Sequence, residues 1–274
     1  MNNLLTVDVE DWFHICGVSE YITKESWPEL ESRVFQNTLK ILEIFESHDV
    51  TATFFVLGYV AEKHPELVRQ IRARGHEVAT HGYGHNRVYT LTRHAFVQDI
   101  RKAVKIIFGI TQQDKIGYRA PEWSIRDDSL WALEVLKQED LAYDSSMAPL
   151  PVIGNPHYPR IPYERTLANG ILWEFPPLVK RTPLVNLPIG GGWGLRVFPY
   201  GMIRSEISKL NQRGHPALIY LHPREFDRDC PQIPLPWIKR FVLNARVEST
   251  QKRLARLLND FRFTSIGAYL DSIS

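Results

Sequence analysis

His81 and His85 stand four positions apart in "ATHGYGH" (79–85), and three carboxylates, Asp8, Glu10 and Asp11, crowd the stretch "TVDVEDW" (6–12). Gly82 and Gly84 argue for a loop that curls both imidazoles toward one point, not for a helix face. Imidazole nitrogen with carboxylate oxygen is a donor set that zinc accepts, and a catalytic site needs three such ligands plus an open position. Two histidines and one carboxylate from "DVED" meet that count; the alternative is a polar loop beside a solvated acidic one. In a strand Asp8 and Glu10 share a face, whereas Asp11 falls where the strand gives way to a loop. Three neighbouring carboxylates repel one another and need a cation or strong donors nearby.

Two further strand ends carry polar groups. In "YRAPEW" (118–123) Arg119 closes a short strand and could hold a carboxylate base in a bidentate pair, against the alternative of a surface ion pair. In "LIYLHP" (218–223) an apolar run ends abruptly in His222, a position more often structural than catalytic when taken alone.

The elements that must position these groups alternate between strand-like and helix-like, the pattern of an α/β fold with a parallel sheet. Strands are expected at 3–9, 50–58, 76–81, "IGYRA", "LAYDS" and 216–222. Helices are expected at 26–48 with Ser26 as N-cap, 65–75 ending at Gly75, 92–108, 127–139, 200–213 and roughly 244–261. Residues 148–200 break the rhythm: they hold 10 of the 18 prolines and the run "PIGGGWG", and read as an elaborate loop or hairpin insertion.

Composition bounds the rest. The chain has 274 residues, 44% hydrophobic and 23% charged, which suits one large globular domain and excludes a disordered chain. A net charge of +2 gives no ground for a nucleic-acid partner. Cys16 and Cys230, far apart, suggest neither a disulfide scaffold nor a thiolate cluster. The first residues lack a signal-peptide pattern, and the longest apolar-rich run, "TATFFVLGYVA", is about half the roughly 20 residues of a transmembrane helix. A cytoplasmic protein, at most peripheral at the inner membrane face, is the resulting expectation. The basic helix "RVESTQKRLARLL" reads as packed on the domain, with membrane contact as its alternative.

In order and wording, "TVDVED", "HGYGH", "RAPEW", "YDSS" and "LIYLHP" resemble the polysaccharide deacetylases of carbohydrate esterase family 4 over nearly the whole chain. "DVEDWFH", "GGGWGLRVFPY" and "YLHPREFD" resemble the bacterial branch found with exopolysaccharide and lipopolysaccharide synthesis, including its C-terminal extension from about Leu235. The resemblance implies a distorted (β/α) barrel of about seven parallel strands over 1–234, with the insertion at 148–200. A C-terminal helical extension, 235–274, would pack on the same domain. It implies removal of an N-acetyl group from an amino sugar in a glycan or lipid-linked glycan, with a divalent metal, zinc before cobalt, nickel or manganese.

By the same resemblance, Asp8 is the general base, His81 and His85 are metal ligands, Arg119 holds the base and His222 is the general acid. Asp144 of "YDSS" would orient His222, although the tryptophan usual after it is missing. Where many members have a second aspartate this chain has Val9, so the metal carboxylate falls to Glu10 or Asp11. Strand alternation favours Glu10; the freer approach of a short side chain at the turn tips the expectation slightly to Asp11. Trp12, Trp123 and Trp193 could stack on sugar rings, and a backbone N–H near Tyr83 or the "RAP" turn could stabilise an oxyanion. Rival readings are a deformylase or cyclic-amide hydrolase on the same scaffold, and a catalytically idle carbohydrate-binding protein.

Overall fold

The computed structural model describes every residue except Cys16, Ser19 and Ser274. β1 (Asn2–Val9) is buried from Asn3 onward, as befits a parallel strand covered on both faces. After it come α1 (Val34–Ser47), β2 (Thr53–Val56), α2 (Gly58–Lys63), α3 (Pro65–Ala73), β3 (Glu77–Thr80) and α4 (Arg93–Thr111). α5 (Trp131–Gln138) and β4 (Tyr143–Asp144) follow. Two hairpins come next, β5 (Tyr163–Leu167) with β6 (Gly170–Glu174) and β7 (Val179–Arg181) with β8 (Asn186–Pro188). The chain then forms α6 (Gly192–Val197), α7 (Tyr200–Gln212), β9 (Leu218–Leu221) and α8 (Trp237–Asn244). It ends with α9 (Thr250–Asp260), β10 (Arg262–Thr264) and α10 (Ile266–Ile273).

β9, β1, β2 and β3 lie side by side and parallel, with Asp8 opposite Phe55 and Val56 opposite Thr80. The sheet continues through single bridges from Thr80 to Tyr118 and from Tyr118 to Asp144, and β4 pairs in parallel with β6. Leu178 N–H donates to the Leu218 carbonyl (3.0 Å) and Tyr220 N–H to that of Gly190 (3.0 Å), which brings the wall back to β9. The result is an α/β fold in the form of a distorted barrel. Val7, Phe54, Val56, Val78, Ile219 and Leu221, all fully buried, belong to its main core.

Several expectations change in detail. "IGYRA" contributes only the two single-residue bridges of Tyr118, to Thr80 and to Asp144. The helix anticipated over 26–48 begins at Val34, with a separate 3-10 turn at Lys24–Glu29, so Ser26 is not its N-cap. Part of the 148–200 segment, β6, is barrel wall. The C-terminal extension is not wholly helical, because β10 pairs in parallel with β1 at Asn2–Leu4. On α9, Leu254 and Leu257 are fully buried, so the basic helix packs on the barrel through its apolar face. No helix among the described residues is long and apolar enough to cross a membrane.

Candidate active site

Asp8, Glu10, His81, Arg119 and His222 each stand at or just beyond the C-terminal end of a barrel strand or bridge, so one mouth gathers them. Glu10 Oε2 lies 2.5 Å from His85 Nε2 and 3.7 Å from His81 Nε2. The candidate ligand atoms of these three residues fall within 4.8 Å of one another. His81 Nδ1 lies 2.8 Å from the Arg119 carbonyl, which fixes the ring as an Nδ1–H donor and turns the Nε2 lone pair into the cluster. Burial, foremost, pulls the pKa of His81 down to about 4, which keeps the imidazole neutral and able to ligate. Glu10 sits near 2: burial opposes its charge, but His85, His222 and His81 around it hold it ionised.

A loop of unusual backbone delivers the histidine pair. Gly82 (φ 73°) and His85 (φ 50°) both take left-handed conformations, the second at a steric cost for a side chain with a Cβ. Asp99 of α4 holds the loop in place: its carboxylate accepts from Tyr83 N–H (2.7 Å), Gly84 N–H (3.1 Å) and Asn86 Nδ2 (3.2 Å). Asp99 is absent from the residues that the sequence singles out, because its role depends on contact with a loop 15 residues away. Tyr83 and Ala120 do not offer an oxyanion donor, since Tyr83 N–H is held by Asp99 and Ala120 N–H by Ser146 Oγ (2.7 Å).

Arg119 is fully buried and donates through Nη1 to Asp8 Oδ1 (2.6 Å) and Thr6 Oγ1 (2.9 Å). Its remaining fork is fixed by Ser145, and its plane stacks between Phe55 and Trp123, 4.1 and 4.3 Å from the ring centroids. Such a pair is held by satisfied donors on all sides and is not a surface ion pair. The other oxygen, Asp8 Oδ2, faces His222 Nε2 at 3.8 Å.

Two expected roles go elsewhere. Asp11 is turned away from the histidines: its oxygens accept from the amides of Trp12 (3.0 Å), Arg33 (3.1 Å) and Val34 (3.3 Å) and from Ser32 Oγ (2.6 Å). It caps the start of α1 from 23 residues upstream, satisfying amides that would otherwise be orphaned. Strand alternation, which keeps Glu10 on the face of Asp8, outweighs the freer approach expected of Asp11. Nor does Asp144 orient His222. Asp144 is buried against Ser146 and Glu174, where burial pushes both carboxyls up, and the Asp144 charge raises Glu174 further. The partner of His222 is Glu225, whose Oε1 lies 3.2 Å from Nδ1. Against the pull of burial, that contact and the charges of Glu225, Glu10 and Asp8 raise His222 to about 9. Glu225 lies three residues on, in "HPREFD", and could have been found as the nearest carboxylate after the histidine.

The groups open into a cavity of about 240 Å³ whose walls include Leu150, Trp193 and Tyr220. Trp123 and Trp193 line it. Trp12 does not; it bonds the Glu31 carbonyl through Nε1 (3.0 Å) and packs edge-on against Phe13.

The same fold occurs in a Mycobacterium smegmatis protein provisionally described as a polysaccharide deacetylase: TM-score 0.66, 18% identity, 99% of this chain and 91% of that one covered. It occurs also in the PuuE allantoinase, with TM-score 0.63, 13% identity, 97% of this chain and 87% of that one. A carbohydrate esterase family 4 pseudoenzyme from Bacillus anthracis has it at TM-score 0.52 and 14% identity, covering 97% and 65% of the two chains. These likenesses define the class as a (β/α) barrel and leave the reaction to the site.

Residues 28–140 match the polysaccharide deacetylase family, and residues 145–271 match a domain of unknown function, DUF3473. Residues 28–140 are thus similar to polysaccharide deacetylases, while the DUF3473 match spans further barrel wall, including β6 and β9. A peptidoglycan-N-acetylglucosamine deacetylase of Bacillus cereus is 32% identical over 114 residues, 41% of this chain and 40% of the relative. A chitooligosaccharide deacetylase of Rhizobium leguminosarum bv. trifolii is 33% identical over 101 residues, 37% of this chain and 44% of the relative. This chain thus spans less than half the length of these curated relatives. The matched family segment contains His81, His85 and Arg119, whereas Asp8 and Glu10 precede it and His222 lies in the DUF3473 region.

Proposed function

We propose that this protein is a metal-dependent hydrolase that removes the N-acetyl group from an amino sugar in a glycan or lipid-linked glycan. The observation that carries the proposal is the convergence of Glu10, His81 and His85 at the barrel mouth beside the Arg119–Asp8 pair and His222. The donor set fits a cation: Glu10 Oε2 is buried without a hydrogen-bond donor of its own and faces two imidazole nitrogens. Glu10, His81 and His85 would hold a divalent ion, with zinc first and cobalt, nickel or manganese compatible. When bound, such an ion supplies Lewis acidity toward the amide carbonyl and acidity to water near pH 7.

The side chains do the rest. Asp8, aligned by Arg119, takes a proton from the attacking water. His222, its Nδ1 fixed by Glu225, delivers a proton from Nε2 to the departing nitrogen, so that a free amine and acetate separate. Trp193 and Trp123 line the cavity that a pyranose would enter, although Arg119 lies over the Trp123 ring. The resemblance of "GGGWGLRVFPY" and "YLHPREFD" supports a place in exopolysaccharide or lipopolysaccharide assembly, with the protein cytoplasmic and peripheral at the inner membrane face.

The test is release of acetate from N-acetylated chitooligosaccharides by the zinc-loaded protein, with formate release from N-formyl analogues run alongside. Acetate release that disappears in Asp8→Asn and His222→Ala supports the proposal. Formate release alone would assign a deformylase, and sugar binding without turnover would assign a carbohydrate-binding protein.

A further inference from the structure

No residue of α8 is buried, yet the helix is firmly anchored. Trp237, Ile238 and Phe241 are 73%, 57% and 55% exposed, and Val242 is 36% exposed. At 3.6 residues per turn these four positions form one apolar stripe. Two buried arginines grip the carbonyl end of the same helix. Arg224 donates to the Leu243 carbonyl (2.6 Å) and Asn244 Oδ1 (2.8 Å); Arg196 donates to the carbonyls of Val242 (3.0 Å) and Ala245. Cations at the carbonyl end of a helix complement its dipole, so the stripe is displayed on a fixed support.

From Pro231 to Val247 the chain carries Lys239, Arg240 and Arg246 and no carboxylate. Lys239 reaches Glu20 (3.2 Å), while Arg240 and Arg246 are exposed. An exposed tryptophan and phenylalanine flanked by cations match the interface of an anionic bilayer, where rings enter the headgroup boundary and arginines meet lipid phosphates. A second copy of the chain fits poorly, because a two-fold contact through this face would set the same cations against each other.

We infer that α8 docks this protein on an anionic membrane surface through Trp237, Ile238 and Phe241, with Arg240 and Arg246 supplying the charge complement. Val242 and Leu243 also line the cavity that holds the histidine cluster, so the docked protein lies with its cleft beside the lipid surface. This specifies the surface behind the peripheral membrane placement proposed above and is independent of the deacetylase chemistry, since docking requires no turnover.

The experiment is flotation of the full chain with vesicles of phosphatidylcholine, alone or mixed with phosphatidylglycerol. Wild type should float with the mixed vesicles, lose most binding at high salt, and bind neutral vesicles much less. Trp237→Ser/Phe241→Ser should weaken partitioning at least about tenfold. Its unfolding midpoint should stay close to that of wild type, because both side chains are more than half exposed. Arg240→Glu/Arg246→Glu should abolish the preference for anionic lipid. Wild type that floats with neither vesicle, or a Trp237→Ser/Phe241→Ser variant that floats as well as wild type, overturns the inference. So does a wild-type dimer that this variant converts to monomer without any vesicle binding, since a second copy then covers the face.

Discussion

At the scale of the residue, two adjacent carboxylates have separate duties. Glu10 faces the imidazoles, and Asp11 closes the N-terminus of α1. Asp11→Ala should therefore destabilise the fold by about 1–2 kcal/mol, the cost of losing a helix cap, while leaving metal content unchanged; urea unfolding and elemental analysis of the same sample check both halves. Glu225→Gln keeps the size of the side chain but removes the charge at His222 Nδ1. It should lower kcat by at least about tenfold and leave the bound metal in place, which acetate-release kinetics on the metal-loaded variant would measure. Type and position at strand ends made the histidines, Arg119 and His222 candidates, but it was the order of the motifs, through the family resemblance, that grouped them into one site. The Asp11 and Asp144 roles were misplaced because each depends on a partner far away in sequence, the α1 amides and Glu174 respectively.

At the scale of the element, the glycines of "PIGGGWG" allow backbone to approach backbone. Gly191 pairs with Tyr220 on β9, and a Cβ there would stand 2.1 Å from the Tyr220 carbonyl oxygen. Gly191→Ala should displace β9, and with it His222 one residue beyond the strand, at a cost of about 1–3 kcal/mol, read as a lower unfolding midpoint together with lower kcat. The periodic elements were readable because α3, α4 and α7 carry their own apolar stripes and, in α3, a Gly75 (φ 80°) just past the C-terminus. The start of α1 was not readable, because its cap comes from another segment. Neither α8 nor β10 was foreseen: the first buries nothing, and the second is three residues long and is defined by β1.

At the scale of the whole molecule, alternation of apolar runs indicated an α/β fold with a parallel sheet, and only the family resemblance implied a barrel, because its closure through single bridges at Tyr118 and Gly191 leaves no periodic trace. Stability should also depend on acidity through His76, which is 2% exposed and packed among Phe45 and Phe54. Burial, then Arg74, lowers its pKa to about 4 from an ordinary value of 6.5. Between those values the unfolded chain binds the proton and the folded one does not. His76 therefore stabilises the fold fully above about pH 6.5 and loses up to roughly 3 kcal/mol of that contribution as pH falls to about 4. The gap in urea midpoint between wild type and His76→Gln should narrow over that range; parallel curves would contradict the assignment.

The central claim is that Glu10, His81 and His85 together hold a catalytic cation. Elemental analysis of protein stripped with chelator, reloaded with zinc and desalted tests it most directly, with Glu10→Gln, His81→Ala and His85→Ala prepared alongside wild type. The prediction is about one ion per wild-type chain and a large loss in each variant. Wild-type protein that retains no ion, or three variants that retain as much as wild type, would contradict it.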